Sequence, residues 1–221
     1  MALHKLNRNN NFLYLCLSLI GLLFASAVTS QSSNQLVDAF FSVFIILMLL
    51  LSLKSLHTET AWKRIVYGLA AFLGTLVLLA HFYPTKTTLF LIYLALFGFF
   101  SGSFKLAVRQ ILFEGKVDGN KIIGSLSLYL LIGLIWTMIY LMLLVFDPNA
   151  FNGIEAAEWE HLFFRVAYYS YVTLTTLGYG DISPASDIAQ FFVTMEAVTG
   201  VFYMAIFVSS LINLRHGGRQ E

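Results

Sequence analysis

Residues Tyr171 to Pro184 read Tyr-Val-Thr-Leu-Thr-Thr-Leu-Gly-Tyr-Gly-Asp-Ile-Ser-Pro, and the chemistry this stretch offers belongs to the backbone. Gly178 and Gly180 admit conformations that residues with a Cβ avoid. Where such conformations alternate along a chain, successive carbonyl oxygens point the same way, and a row of them can replace the water around a dehydrated cation. Thr173, Thr175 and Thr176 place hydroxyls before the glycines, and Asp181 places a carboxylate after them. The plain alternative is a glycine turn between two helices. Glu196 is the one carboxylate well inside an apolar run, where an unpaired charge is expensive, so it must find a protein partner or carry a proton. Arg165 is its most charge-complementary candidate, in a structural tie, and hydroxyls such as Ser170 would also serve. His161 is a candidate pH-responsive group by residue type, and an exposed loop histidine is the simpler account. The single cysteine, Cys16, lies in an apolar run and supports neither a disulfide framework nor a metal cluster. No phosphate loop, zinc pattern or nucleophile constellation is present.

The elements that must hold these residues are apolar. The chain has 221 residues, 58% hydrophobic and 11% charged, with mean hydropathy +0.78, which is the composition of an integral membrane protein. A net charge of +1 says nothing of nucleic acid or acidic substrates. Six segments are long enough to span: Phe12–Val28, Leu36–Leu53, Ile65–Phe82, Thr88–Ala107, Ser125–Phe146 and Ile188–Leu211. Backbone groups in lipid must bond within their own segment, so each is expected to be helical. Leu162–Leu174 is shorter and suits a re-entrant helix.

Basic residues orient the spans. With both termini in the cytoplasm, eleven of the thirteen fall inside, among them Lys5, Arg8, Lys54, Lys63, Arg64, Lys116, Lys121, Arg215 and Arg219. Only Lys86 and Arg165 stay outside, and the 175–184 stretch then lies near the outer face. Lys5 and Arg8 ahead of a run ending Ala25-Ser26-Ala27 also have the form of a cleavable signal, but an uncleaved first helix is expected. Asp38, Asp147, Glu155, Glu158, Glu160, Asp181 and Asp187 fall outside, either as a cation-concentrating rim or as an ordinary solvated loop.

The core Thr176-Leu177-Gly178-Tyr179-Gly180-Asp181, with an apolar stretch before it and a full span after it, resembles the selectivity filter of potassium channels. The resemblance covers the last three elements, Ser125–Phe146, Leu162–Leu174 and Ile188–Leu211. It implies K⁺ cages built from the carbonyls of Thr176, Leu177, Gly178 and Tyr179, with the Thr176 hydroxyl closing the innermost and Gly180 completing the motif. It also implies filter support from Thr173, Thr175, Asp181 and Tyr169. Tyr168, Tyr169 and Tyr171 form either an aromatic cuff or simple helix packing. Four loops are needed around one axis and this chain supplies one, so a homotetramer is implied. Val172 stands where some relatives carry a Glu partner for the aspartate, and Leu177 replaces the commoner Val or Ile. Gly200 sits where the family often has an inner-helix hinge, though close packing explains a mid-helix glycine equally well. Val201, Met204 and Val208 would then line the cavity and inner mouth, an apolar face suited to a dewetting gate.

The expectation is thus an all-α membrane protein in the plasma or inner cell membrane, with a four-helix domain over residues 1–113 and a pore domain over 114–221. The first part resembles a voltage-sensor domain without its charges: Lys105 and Arg109 lie at the cytoplasmic end of the fourth segment, four apart. Gly115 and Gly119 suit a turn rather than a long lever before the pore. With about ten residues after the last span, no cytoplasmic regulatory domain is expected. The implied function is passive, K⁺-selective background conduction with no cofactor beyond the permeant ion and with lipid as the surrounding partner. A weakly selective cation channel is the alternative. A membrane sensor or enzyme would need paired acids or histidines at membrane depth, which the first four segments lack.

Overall fold

The computed structural model describes residues 11–32, 35–55, 60–83, 85–113, 119–154 and 159–207. Among them are seven α-helices: α1 (Asn11–Gln31), α2 (Gln35–Ser55), α3 (Thr60–Phe82), α4 (Lys86–Phe113), α5 (Gly119–Phe146), α6 (Trp159–Leu174) and α7 (Asp187–Phe202). A π-helical turn, Tyr203–Phe207, continues α7. The one sheet pairs β1 (Phe151–Asn152) with β2 (Ser183–Pro184), antiparallel. Five helices carry stretches long and apolar enough to cross a membrane, α1, α3, α4, α5 and α7 with its π turn; α2 carries a shorter described stretch, Phe40–Leu50. The chain is an integral, multi-pass membrane protein.

The membrane-length stretches are apolar on most sides, so position is set by fit more than by an amphipathic face. On α1, Phe12, Leu15, Leu19, Leu22, Ser26 and Thr29 form a buried seam, while Tyr14, Leu17, Phe24 and Val28 stay exposed as a lipid-facing side does. Hydroxyls in the spans bond back to the preceding turn, as Ser26 does to Leu23 O and Thr137 to Gly133 O. That leaves few unpaired donors in a medium with no water to receive them. The helix continues unbroken through Ala25–Ala27.

Of the first four helices, α1 and α4 pack on α5. α1 lies between α2 and α5 and also packs against α6, and α4 runs along α5. The start of α5 ties both neighbours: Asn120 Oδ1 accepts from the Phe12 N–H at 3.2 Å, and buried Lys121 donates from Nζ to Ile111 O at 2.8 Å. A lysine there satisfies an orphan carbonyl at the end of α4 and opposes its dipole.

Several expected boundaries move. α4 runs past Ala107 and carries Arg109 within it, and Lys121 sits in the first turns of α5 rather than in a connection. α6 begins at Trp159, before Leu162, and so takes His161 into a helix where it is half-buried, not exposed on a loop. The inner helix leaves α geometry at Tyr203, short of Leu211. Val208, Gly115, Glu155, Glu158, Lys5, Arg8, Lys116, Arg215 and Arg219 lie outside the described residues.

Candidate functional site

The site is built on α6, which enters the protein and stops at Leu174. Phe163, Val166, Ala167, Ser170 and Leu174 are buried on one side of it, with Trp159 tilted against Phe41 of α2 and Phe163 edge-on to it, at 6.0 and 5.7 Å between ring centroids. The chain then turns back on the end of the helix. Thr175 N donates to Tyr171 O at 3.0 Å, Thr176 N to Thr173 O at 2.9 Å, and Leu177 N to Val172 O at 3.0 Å, with Gly178 N reaching Val172 O at 3.4 Å. The Thr175 hydroxyl adds a bond to Tyr171 O at 2.6 Å. The last carbonyls of a helix lack partners within it, and here the amides of the following loop supply them.

That loop has an alternating backbone. Thr176, Gly178 and Gly180 have φ of 61°, 57° and 80°, while Leu177 and Tyr179 between them do not. Thr176 is the only described non-glycine residue with positive φ, a conformation that costs a residue with a side chain about 1–2 kcal/mol. With their amides turned back toward α6, Leu177 and Gly178 leave their carbonyls free. Among the described residues the carbonyls of Thr176, Leu177, Gly178 and Tyr179 accept no protein hydrogen bond. All residues from Thr175 to Asp181 are exposed in the single chain.

Beyond Gly180 the loop is held by a strap absent from the sequence reading. β1 lies along β2, and Ala185 N donates to Ala150 O at 2.8 Å. Gly153 has φ 79°, and a Cβ there would lie 2.2 Å from Asp181 O, so only glycine lets the strap come this close. Arg165 Nη2 donates to Gly153 O at 2.7 Å. Tyr168, half-buried on α6, faces Asp181. With Val172 in place of an acid, Tyr168 is the group that meets this aspartate.

The expected Arg165–Glu196 pair does not form. Arg165 is exposed and committed to the strap, whereas Glu196 is fully buried, with Ser170 Oγ at its Oε1 and Tyr140 Oη at its Oε2, both at 2.5 Å. Hydroxyls already at that depth spare the long guanidinium stem from being drawn into the interior. Ser170 was within reach of sequence reasoning. Tyr140 was not, because nothing in a uniformly apolar α5 marks which face turns toward α7.

The three tyrosines of α6 divide their work. Tyr169 clusters with Tyr140 and Phe151 at 5.6 and 5.4 Å and hydrogen-bonds Thr173. Tyr171 donates to Leu130 O at 2.6 Å, with its ring where a Cβ on Gly133 would come within 2.3 Å. Together with Tyr168 at Asp181 they brace α6 on separate sides.

At the C-terminal end of α6, Gly200 is a packing glycine: a Cβ there would lie 2.1 Å from Leu174 O. The same carbonyl accepts from Tyr129 at 3.1 Å, and Tyr203 at the start of the π turn donates to Ser125 O. Exposed Val201 and Met204 share a recess of about 670 Å³ with Tyr129, Leu174, Thr175, Thr176, Gly200 and Ala205. Gly133, Gly153, Tyr129 and Tyr203 were not singled out from sequence, since close approach leaves no mark on composition.

Residues 125–214, which contain α5 from Ser125 onward, α6, the loop and α7, match the family model described as Ion channel. Over that segment the chain is similar to ion channels. No solved structure matches the chain.

Proposed function

We propose that the protein is a K⁺-selective channel subunit whose filter is the loop from Thr176 to Gly180. The observation that carries this reading is the alternation of positive φ at Thr176, Gly178 and Gly180, with the intervening carbonyls free of protein partners. Oxygens turned to one side at the end of a re-entrant helix replace the hydration shell of a dehydrated cation. The partially negative C-terminus of α6 favours a cation beside Leu174. Thr176 to Tyr179 would bind the ion. Thr173, Thr175, Tyr169 and Asp181 would hold the loop, and Val201, Met204 and Val208 would line the inner mouth.

One loop cannot enclose an ion. Four copies around an axis complete the cage and cover the face from Thr175 to Asp181. In this reading α2 makes a sixth crossing, both termini are cytoplasmic, and residues 1–113 form a sensor-like domain packed on α5 of its own chain. That domain lacks the series of charges that voltage sensing needs, so conduction is of the background kind.

The direct test is Gly178→Ala in K⁺-loaded liposomes. A Cβ at φ 57° strains the loop, so K⁺ efflux is expected to vanish while membrane insertion persists. Undiminished efflux would refute the assignment.

A further inference from the structure

Glu196 lies where α5, α6 and α7 meet, and its contacts require a hydrogen that the neighbouring groups do not supply. Three oxygen–oxygen contacts run in series: Tyr140 Oη to Glu196 Oε2 at 2.5 Å, Glu196 Oε1 to Ser170 Oγ at 2.5 Å, and Ser170 Oγ to Gly133 O at 2.8 Å. Each contact needs one hydrogen. Tyr140 and Ser170 bring one apiece, and a carbonyl brings none. With an ionised carboxylate, the Ser170 hydroxyl must abandon either Glu196 or Gly133, leaving two acceptors facing each other in a dry interior. Thr137 offers no relief, because its own hydroxyl is already directed at Gly133 O at 2.7 Å.

The surroundings supply no counter-charge. The titratable groups that face Glu196 are Tyr129 and Tyr140 on α5 and Tyr169 and Tyr171 on α6, all neutral phenols. Arg165 is held at Gly153. Among the described residues no cation pairs with this carboxyl.

We propose that Glu196 is a positioning residue acting as a neutral acid, which donates its own proton from Oε1 to Ser170. The chain of donors then runs one way, from Tyr140 to Glu196 to Ser170 to Gly133 O, and every contact has its hydrogen. It fixes α7 and α5 to α6 at Ser170, one turn before Leu174, where the loop begins. The protein therefore uses the acid as a bridge between helices, with conduction left to the backbone. This inference rests on the reading of that loop as the filter.

Two measurements on the full chain in liposomes test it. The infrared spectrum at neutral pH is expected to show the carbonyl band of a protonated carboxylic acid, shifted in D₂O and missing from Glu196→Gln. In flux, Glu196→Gln is expected to stay within about twofold of the unmodified protein, since its amide donates to Ser170 and accepts from Tyr140. Glu196→Ala leaves buried donors unpaired and is expected to lose about tenfold or more. A missing acid band, a Gln variant as impaired as Ala, or an Ala variant that conducts normally would each overturn the proposal. If the unmodified protein carries no K⁺ flux, the filter reading fails, while the infrared band still decides the protonation of Glu196.

Discussion

Gly200 illustrates how much of the site depends on what a residue leaves out. Its missing Cβ admits the Leu174 carbonyl to a distance where a methyl would sit at 2.1 Å. Gly200→Ala is therefore expected to push α7 off the end of α6, at a cost of about 1–3 kcal/mol, typical of overpacking. Thermal unfolding in detergent reads that cost; an unchanged midpoint with altered open probability would restore a hinge role. Arg165→Met removes one charge-assisted bond to Gly153 O and is expected to cost about 1.5–3 kcal/mol at most, less for its exposure, with a loosened strap and nearly intact burial of Glu196. Digestion at the 147–154 loop, faster in the variant, is the check. At this scale the loop from Thr176 to Asp181 was legible, because threonines and glycines at fixed spacing announce their own backbone. The partner of Glu196 was read only in part. A carboxylate inside a span signals that a partner exists, but whether an arginine or a pair of hydroxyls reaches it depends on helix rotation.

Among the elements, α5 joins the two halves of the chain. Its first turns cap α1 through Asn120 and α4 through Lys121, and its middle holds Gly133, Thr137 and Tyr140 against α6 and α7. Lys121→Met leaves the Ile111 carbonyl without its donor and removes a favourable charge from the end of α4. The expected loss is about 1.5–3 kcal/mol, seen as a lower unfolding midpoint without change in ion selectivity. Unaltered stability would mean that α4 and α5 are joined by side-chain packing alone. Spans were legible as apolar length, and α6 as a run too short to cross. Their ends were not: α4 passes beyond Ala107 and α7 changes to π geometry at Tyr203, where tertiary contacts decide the last turns. The β1–β2 strap is two residues on each side, too short to leave a periodic pattern.

The whole molecule combines a segment similar to ion channels, residues 125–214, with helices α1 and α4 that pack along its first helix. The face from Thr175 to Asp181 stays open in the single chain, and in the proposed assembly three further copies cover it. Native mass spectrometry in gentle detergent is expected to find four copies of the 24.9 kDa chain, and a stable monomer that still conducts would contradict the shared pathway. That apolar helices precede α5 was readable from span count, while the packing of α1 and α4 along α5 required the structure. The central claim is that the alternating carbonyls from Thr176 to Tyr179 select K⁺. The measurement that tests it most directly is the reversal potential of the purified protein in a planar bilayer with K⁺ on one side and Na⁺ on the other. The account predicts a value close to the K⁺ equilibrium potential; a value near zero, with currents carried equally by Na⁺, would contradict it.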